Sequence, residues 1–303
     1  MLNNLVKATF NALGFNITRK ITRDPNKSTV VKVGKFDITI NGKSWLDSCY
    51  LYSKDYGAQL TRLAAVLNKN FSSLKAIDIG ANQGDSVALI KSGADVPVIC
   101  VEGDSNLVEQ FNFNTAQFAN VTLIKTFLTD AEVEMECTYT NVGHNLTIMP
   151  ATGAASAVST KFLSVDFLYK TGVLDASCKL LKVDTEGFDL KILRGSAKFL
   201  ADVKPAILFE FNKHNLADKE ADPYSIFAWL ENLGYNQILF YESDGRFMFS
   251  SNLANYQLMK QMFDYVDGKN SKIYYLDIVV FHSADDAVAN EFINGEEVHR
   301  LQS

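Results

Sequence analysis

LKAIDIGANQGDSVALI, residues 74–90, reads as a short apolar strand, a turn carrying Gly80 and Gly84, and the start of a helix. VPVICVEGDSNLVEQFNFN, residues 96–114, repeats the strand, ends it on an acid and returns to a helical pattern. Strand-like runs at 121–125, 179–183 and 206–211 continue the cadence, and DTEGFDLKILRG after residue 183 offers Leu190, Ile192 and Leu193 as a helix packing face. Strands alternating with helices in this way build parallel α/β sheets, because a parallel neighbour requires a crossover.

Working outward, residues 132–138 and 145–149 predict a small hairpin or strand insertion near the ligand-bearing edge, followed by a small-residue loop at 151–160. Downstream, 223–233 and 251–265 are helix-like, while 235–241 and 272–281 are strand-like and suit an antiparallel edge. Pro205 fits a strand start, where a missing N–H breaks no ladder. Upstream, STVVKVGKFDITI at 28–40 predicts a short hairpin. Trp45, Tyr50, Tyr52 and Tyr56 then precede a helix bearing Leu60, Leu63, Ala64 and Leu67; the aromatics either cover a substrate pocket or pack this layer. Residues 1–16 read as a surface helix. The expected division is an accessory region at 1–70, with helices and a short β hairpin, and a main domain at 71–303.

The 303 residues are 47% hydrophobic and 21% charged, as in a soluble globular chain. A net charge of -6 offers no positive field for a nucleic-acid backbone, so no nucleic-acid partner is expected. Cys49, Cys100, Cys137 and Cys178 have neither metal-ligand spacing nor disulfide-scaffold density and read as buried thiols. The four histidines form no short metal motif, and no metal is expected. His214 stands near a site strand, as a loop residue or a proton carrier. No apolar run approaches the ~18 residues of a membrane span, and the start lacks a signal-peptide pattern, so the expectation is a cytoplasmic protein without membrane insertion.

The chemistry concentrates at strand ends. Asp78, Gly80, Asn82 and Gly84 lie where a parallel strand yields to a turn and a helix N-terminus, a place suited to a polar ligand. A nicotinamide-binding fingerprint would require a third glycine where Asp85 stands, and that acid would oppose a pyrophosphate, whereas a cationic sulfonium avoids the conflict. Glu102 ends its strand where a carboxylate can accept from a ribose diol. Asp130 either approaches an adenine amino group or serves as a turn acid. Lys182, Asp184 and Glu186 crowd charge at the end of a buried strand, as a functional network or as capping and ion pairing. Glu210, between Phe209 and Phe211, projects to the face opposite theirs, towards a site if the strand is regular.

The ordered set DIGANQGD (78–85), VEGD (101–104), FLTD (127–130), LLKVDTEGFDLKILRG (180–195) and PAILFEF (205–211) resembles the FkbM family of S-adenosylmethionine-dependent methyltransferases. The resemblance spans roughly 74–281 and implies a class I methyltransferase, Rossmann-like sheet of order 3-2-1-4-5-7-6 with an antiparallel strand 7, plus an N-terminal elaboration. It implies S-adenosylmethionine as cofactor, with Asp78, Gly80, Asn82 and Gly84 around it, Glu102 towards ribose, Asp130 towards adenine and Asp184 near the amino-acid portion or reaction centre. It favours O-methylation of a sugar or another small hydroxyl-bearing substrate, with Asp184, Glu186, Glu210 and Lys182 as the catalytic set. The alternatives are a nucleotide-dependent oxidoreductase and a noncatalytic nucleotide- or sugar-binding protein.

Overall fold

The computed structural model describes residues 24, 27–42, 44–53, 55–142, 145–151, 156–185, 187–212, 222–266 and 275–302. The expected helix at 1–16, His214 and Glu186 lie outside them. The first described elements are the antiparallel hairpin β1 (Thr29–Val33) and β2 (Phe36–Ile40), then helices α1 (Leu46–Tyr52) and α2 (Ala58–Asn70). Two strand–helix steps and a third strand follow: β3 (Lys75–Ile79), α3 (Asp85–Gly93), β4 (Val98–Val101), α4 (Val108–Thr115) and β5 (Val121–Ile124).

An excursion comes next, through β6 (Phe127–Leu128), β7 (Val133–Val142), β8 (Asn145–Pro150) and β9 (Val158–Leu163). These pair as a separate four-stranded sheet in the order β6-β9-β7-β8. The expected hairpin is present as β7–β8, but β9 takes up the end of the stretch read as a loop. Thr160 and Phe162 turn inward at alternate positions and pair with Met135 and Val133 of β7. The small residues before them had masked that period-two pattern.

The chain then re-enters the main layer through α5 (Val165–Lys170), β10 (Cys178–Val183), α6 (Asp189–Arg194), α7 (Ala197–Val203), β11 (Ala206–Phe211) and α8 (Ser225–Asn232). It finishes with β12 (Tyr235–Glu242), β13 (Phe247–Asn252), α9 (Tyr256–Val266), β14 (Leu276–His282) and α10 (Asp286–Gln302). The helix expected at 251–265 starts later, because β13 pairs with β12 and draws Phe249 onto Phe240, ring centroids 4.9 Å apart.

The main sheet runs β13-β12-β14-β11-β10-β3-β4-β5. The five strands from β11 to β5 are parallel, and β14 is antiparallel to both β11 and β12. The chain order reverses between β3 and β10, and in open α/β sheets the crevice at such a point receives ligands.

Alternation divides the sheet into two faces. Ile77, Leu181, Phe209 and Ile278 belong to one apolar cluster, with residues of α5 to α9. Ala76, Leu180, Leu208 and Val279 belong to the other, with the β1–β2 hairpin, α2, α3 and α10. On that second face the next residue towards the crevice is polar in every strand: Asp78, Lys182, Glu210 and Asp277. A polar row therefore emerges from under the N-terminal layer. Helix α10 is tied to the same layer by Glu296, 1% exposed, which takes two hydrogen bonds from the Arg62 guanidinium at 2.5 and 2.7 Å.

Candidate functional site

A cavity of about 880 Å³ opens at the reversal point, within the ~300–1,000 Å³ typical of small-molecule sites. Its first wall is the turn after β3. Gly80, Asn82 and Gly84 have φ of 80°, 45° and 84°, the left-handed region that favours glycine and tolerates asparagine. At Gly80 space is as restrictive as φ, since an added Cβ would lie 1.8 Å from the Asp184 carbonyl oxygen. The turns after β3 and β10 thus touch backbone to backbone.

Glu102 secures this turn to the end of β4. Its Oε2 accepts from Asn82 N at 2.9 Å and its Oε1 from Asp104 N at 2.7 Å. Burial raises its pKa, while those amide bonds act in the opposite direction. The carboxyl lines the cavity with acceptor lone pairs beyond the two amides, the capacity a diol needs.

Asp78, fully buried, accepts from Ser86 Oγ at 2.5 Å and pairs with Lys182 Nζ at 3.2 Å. Lys182 Nζ is also 3.4 Å from Asp184 Oδ2 and donates to the Gly80 carbonyl at 3.4 Å. Burial alone would lower the ammonium's pKa, but Asp78, Asp184 and Asp85 outweigh it and hold Lys182 charged. One cation therefore balances the acids of both turns. Lys182 and Asp184 line the cavity.

Asp189, at the start of α6, holds the Asp184 turn by accepting from Thr185 N at 3.0 Å and Gly187 N at 3.1 Å. Burial, then the Asp184 charge, raises its pKa to about 6. The side-chain oxygens of Asn82 and Thr185 are buried at the cavity with no hydrogen-bond partner. Such atoms cost stability unless a ligand satisfies them.

Glu210 lines the cavity, while Phe209 and Phe211 on either side are buried in the opposite face, as the alternation of β11 dictates. Asp130 departs from expectation. It is exposed, takes Thr129 Oγ1 at 3.1 Å and does not line the cavity. Thr126, Phe127 and Leu128 line it there instead, because β6 peels away into the second sheet and carries Asp130 beyond the rim.

Several further residues line the cavity. Tyr50 of α1 donates to Asp85 Oδ2 at 2.7 Å and stacks edge-on against Tyr56, centroids 5.1 Å apart. Gln59 of α2 donates to Asp277 Oδ2 at 2.8 Å, and Tyr275 stands beside it. The one sequence signal was the aromatic cluster at 45–56, read there as cover or packing. A lone acid in the apolar β14 was a signal passed over. Among the described residues, no group of three or more His, Cys, Asp or Glu is arranged to hold a metal ion, and no helix is long and apolar enough to cross a membrane.

Among solved structures, a methyltransferase FkbM from Methylobacillus flagellatus KT is 17% identical, with a TM-score of 0.37, covering 55% of this chain. This chain spans only 40% of that protein's length. The fibrillarin pre-rRNA processing protein of Methanococcus jannaschii is 12% identical over 87% of this chain and 86% of its own, TM-score 0.40. The N-methyltransferase NodS of Bradyrhizobium japonicum WM9 is 8% identical over 76% and 94%, TM-score 0.40. These distant likenesses say nothing of an acceptor, and no curated protein matches the chain. The profile of the Methyltransferase FkbM domain matches residues 78–236, more than half the sequence. Since that span begins at the buried Asp78 and takes in Glu102, the Lys182–Asp189 turn and Glu210, the chain belongs to the FkbM methyltransferase domain family.

Proposed function

We propose that the chain is an S-adenosylmethionine-dependent methyltransferase that O-methylates a hydroxyl of a sugar or related small metabolite. The observation carrying this reading is the joint presence of Glu102 and the Asp184 turn in one cavity, with the unpartnered oxygens of Asn82 and Thr185 between them. That wall's carboxylate and amide oxygens fit a ligand bearing a ribose diol, an ammonium and a sulfonium. When bound, the cofactor supplies an activated methyl group and its own leaving group.

The protein's part is positioning. Glu102 accepts from the ribose hydroxyls, and Asp184, steadied by Lys182, faces the amino-acid portion. Phe127 and Leu128, rather than Asp130, border the adenine end. Glu210 orients the acceptor hydroxyl and, ionised, takes its proton as the oxygen becomes nucleophilic. Glu186, next to Thr185 in sequence, completes the proposed catalytic set.

The test pairs calorimetric binding of S-adenosylmethionine with transfer of a labelled methyl to a chemically varied panel of hydroxyl compounds. Binding with transfer that Glu210→Gln removes supports the reading. Binding without transfer to any acceptor selects the noncatalytic binding protein, and redox turnover with a nicotinamide selects an oxidoreductase.

A further inference from the structure

The end of the cavity remote from Glu102 is built where β14 meets β11. Because β14 alone runs against its neighbours there, its N-terminal end reaches the crevice, and Asp277 lies directly across from Glu210. Residues so opposed have Cβ atoms about 4.5–5.5 Å apart, and like charges there repel. Both acids line the cavity.

Asp277 is held from above by Gln59 Nε2 at 2.8 Å, so one carboxyl oxygen is already an acceptor and the other is left for a ligand. The charged or titratable groups around it are Asp184 and Lys182 from β10 and its turn, Asp189 of α6, Glu210 of β11, Tyr275 just before its own strand and Tyr241 of β12. Burial and then the Asp184 charge push its pKa up to about 8, against Lys182 and the Gln59 bond. At neutral pH Asp277 therefore keeps its proton and has an O–H to give. Tyr56 and Tyr275 close the same end with a neutral polar surface.

We propose that Asp277, oriented by Gln59, is an acceptor-specificity residue that donates a hydrogen bond to an oxygen of an uncharged, polyhydroxylated acceptor bound between Glu210 and the Tyr56–Tyr275 wall. The proposal rests on the methyltransferase reading and narrows its substrate. A phosphorylated or carboxylated acceptor would meet Asp184 and Glu210 at close range.

The sign of the pH dependence follows from the raised pKa. The protonated carboxyl binds, so affinity holds below about pH 8 and falls above it. The experiment uses full-length protein saturated with S-adenosylhomocysteine and a panel of neutral methyl glycosides as probes, with dissociation constants measured by NMR from pH 6 to 9.5. Wild type should bind at least one glycoside, with affinity dropping towards tenfold per pH unit above pH 8. Asp277→Asn keeps an N–H donor and should bind within about threefold of wild type at pH 7, without the alkaline loss. Asp277→Leu should weaken binding at least tenfold at every pH.

The proposal is overturned by wild-type affinity in Asp277→Leu, by an alkaline fall persisting in Asp277→Asn, or by a loss at pH 7 in Asp277→Asn as large as in Asp277→Leu. The last is what an ionised acceptor role would give. If the folded Asp277→Leu chain cannot be obtained, the two asparagine outcomes still decide. No glycoside binding to wild type also overturns it, while bound S-adenosylhomocysteine in the same sample leaves the methyltransferase reading standing.

Discussion

At one end of the cavity the wall is largely backbone: Gly80 and Asn82 in left-handed conformations, with the Asn82 amide tied to Glu102. At the other it is side chains from α1, the turn after it, α2, β11 and β14, brought together only by the fold. The first is fixed by a few consecutive residues and tolerates almost no change. The second can be altered one side chain at a time, which is how one cofactor end can serve different acceptors.

The comparison is most exposed at Gly80. Gly80→Ala forces a Cβ into the Asp184 carbonyl at a φ of 80°, and should cost about 4 kcal/mol or more and remove cofactor binding. Thermal unfolding and calorimetry read both. A stable variant that binds would show the turn to be pliable. Lys182→Met ranks next. It leaves Asp78 buried without its cation and should destabilise by about 3–5 kcal/mol, with much of that recovered in Lys182→Met/Asp78→Asn. A single variant as stable as wild type would mean the network is ornamental.

Glu102→Gln should keep the fold but weaken S-adenosylmethionine binding by about 1.5–3 kcal/mol, roughly ten- to a hundredfold. Unchanged affinity by calorimetry would take ribose recognition away from Glu102. The smallest effect is expected at Asp130. Because it is exposed outside the cavity, Asp130→Asn should shift stability by less than about 0.5 kcal/mol and cofactor affinity by under twofold. A large loss would restore it to the adenine end.

The same contrast explains what was legible in the sequence. The glycine turn, Glu102 and the Lys182–Asp189 turn are local patterns, since strand, turn and helix start lie within one short stretch. The alternation of β11 likewise pointed Glu210 the right way. Asp277, Gln59 and Tyr275 carry no local signature, because their meeting depends on β14 running antiparallel and on α2 lying over its start. Asp130 misled for a related reason: position just after a third strand implies the rim only if that strand ends there, and the chain instead continues through β6 into another sheet. The polar end of β13, residues 250–252, became strand through pairing with β12, which propensity does not report.

The contact between Gly80 and the Asp184 carbonyl has a kinetic side. Asp184 N also donates to the Ile79 carbonyl at 3.0 Å, so a backbone hydrogen bond joins the two turns beside that close approach. Displacing one turn therefore strains the other, and the cavity floor is expected to open as a coupled unit, a coupling that hydrogen exchange of the Asp184 amide with and without ligand would read.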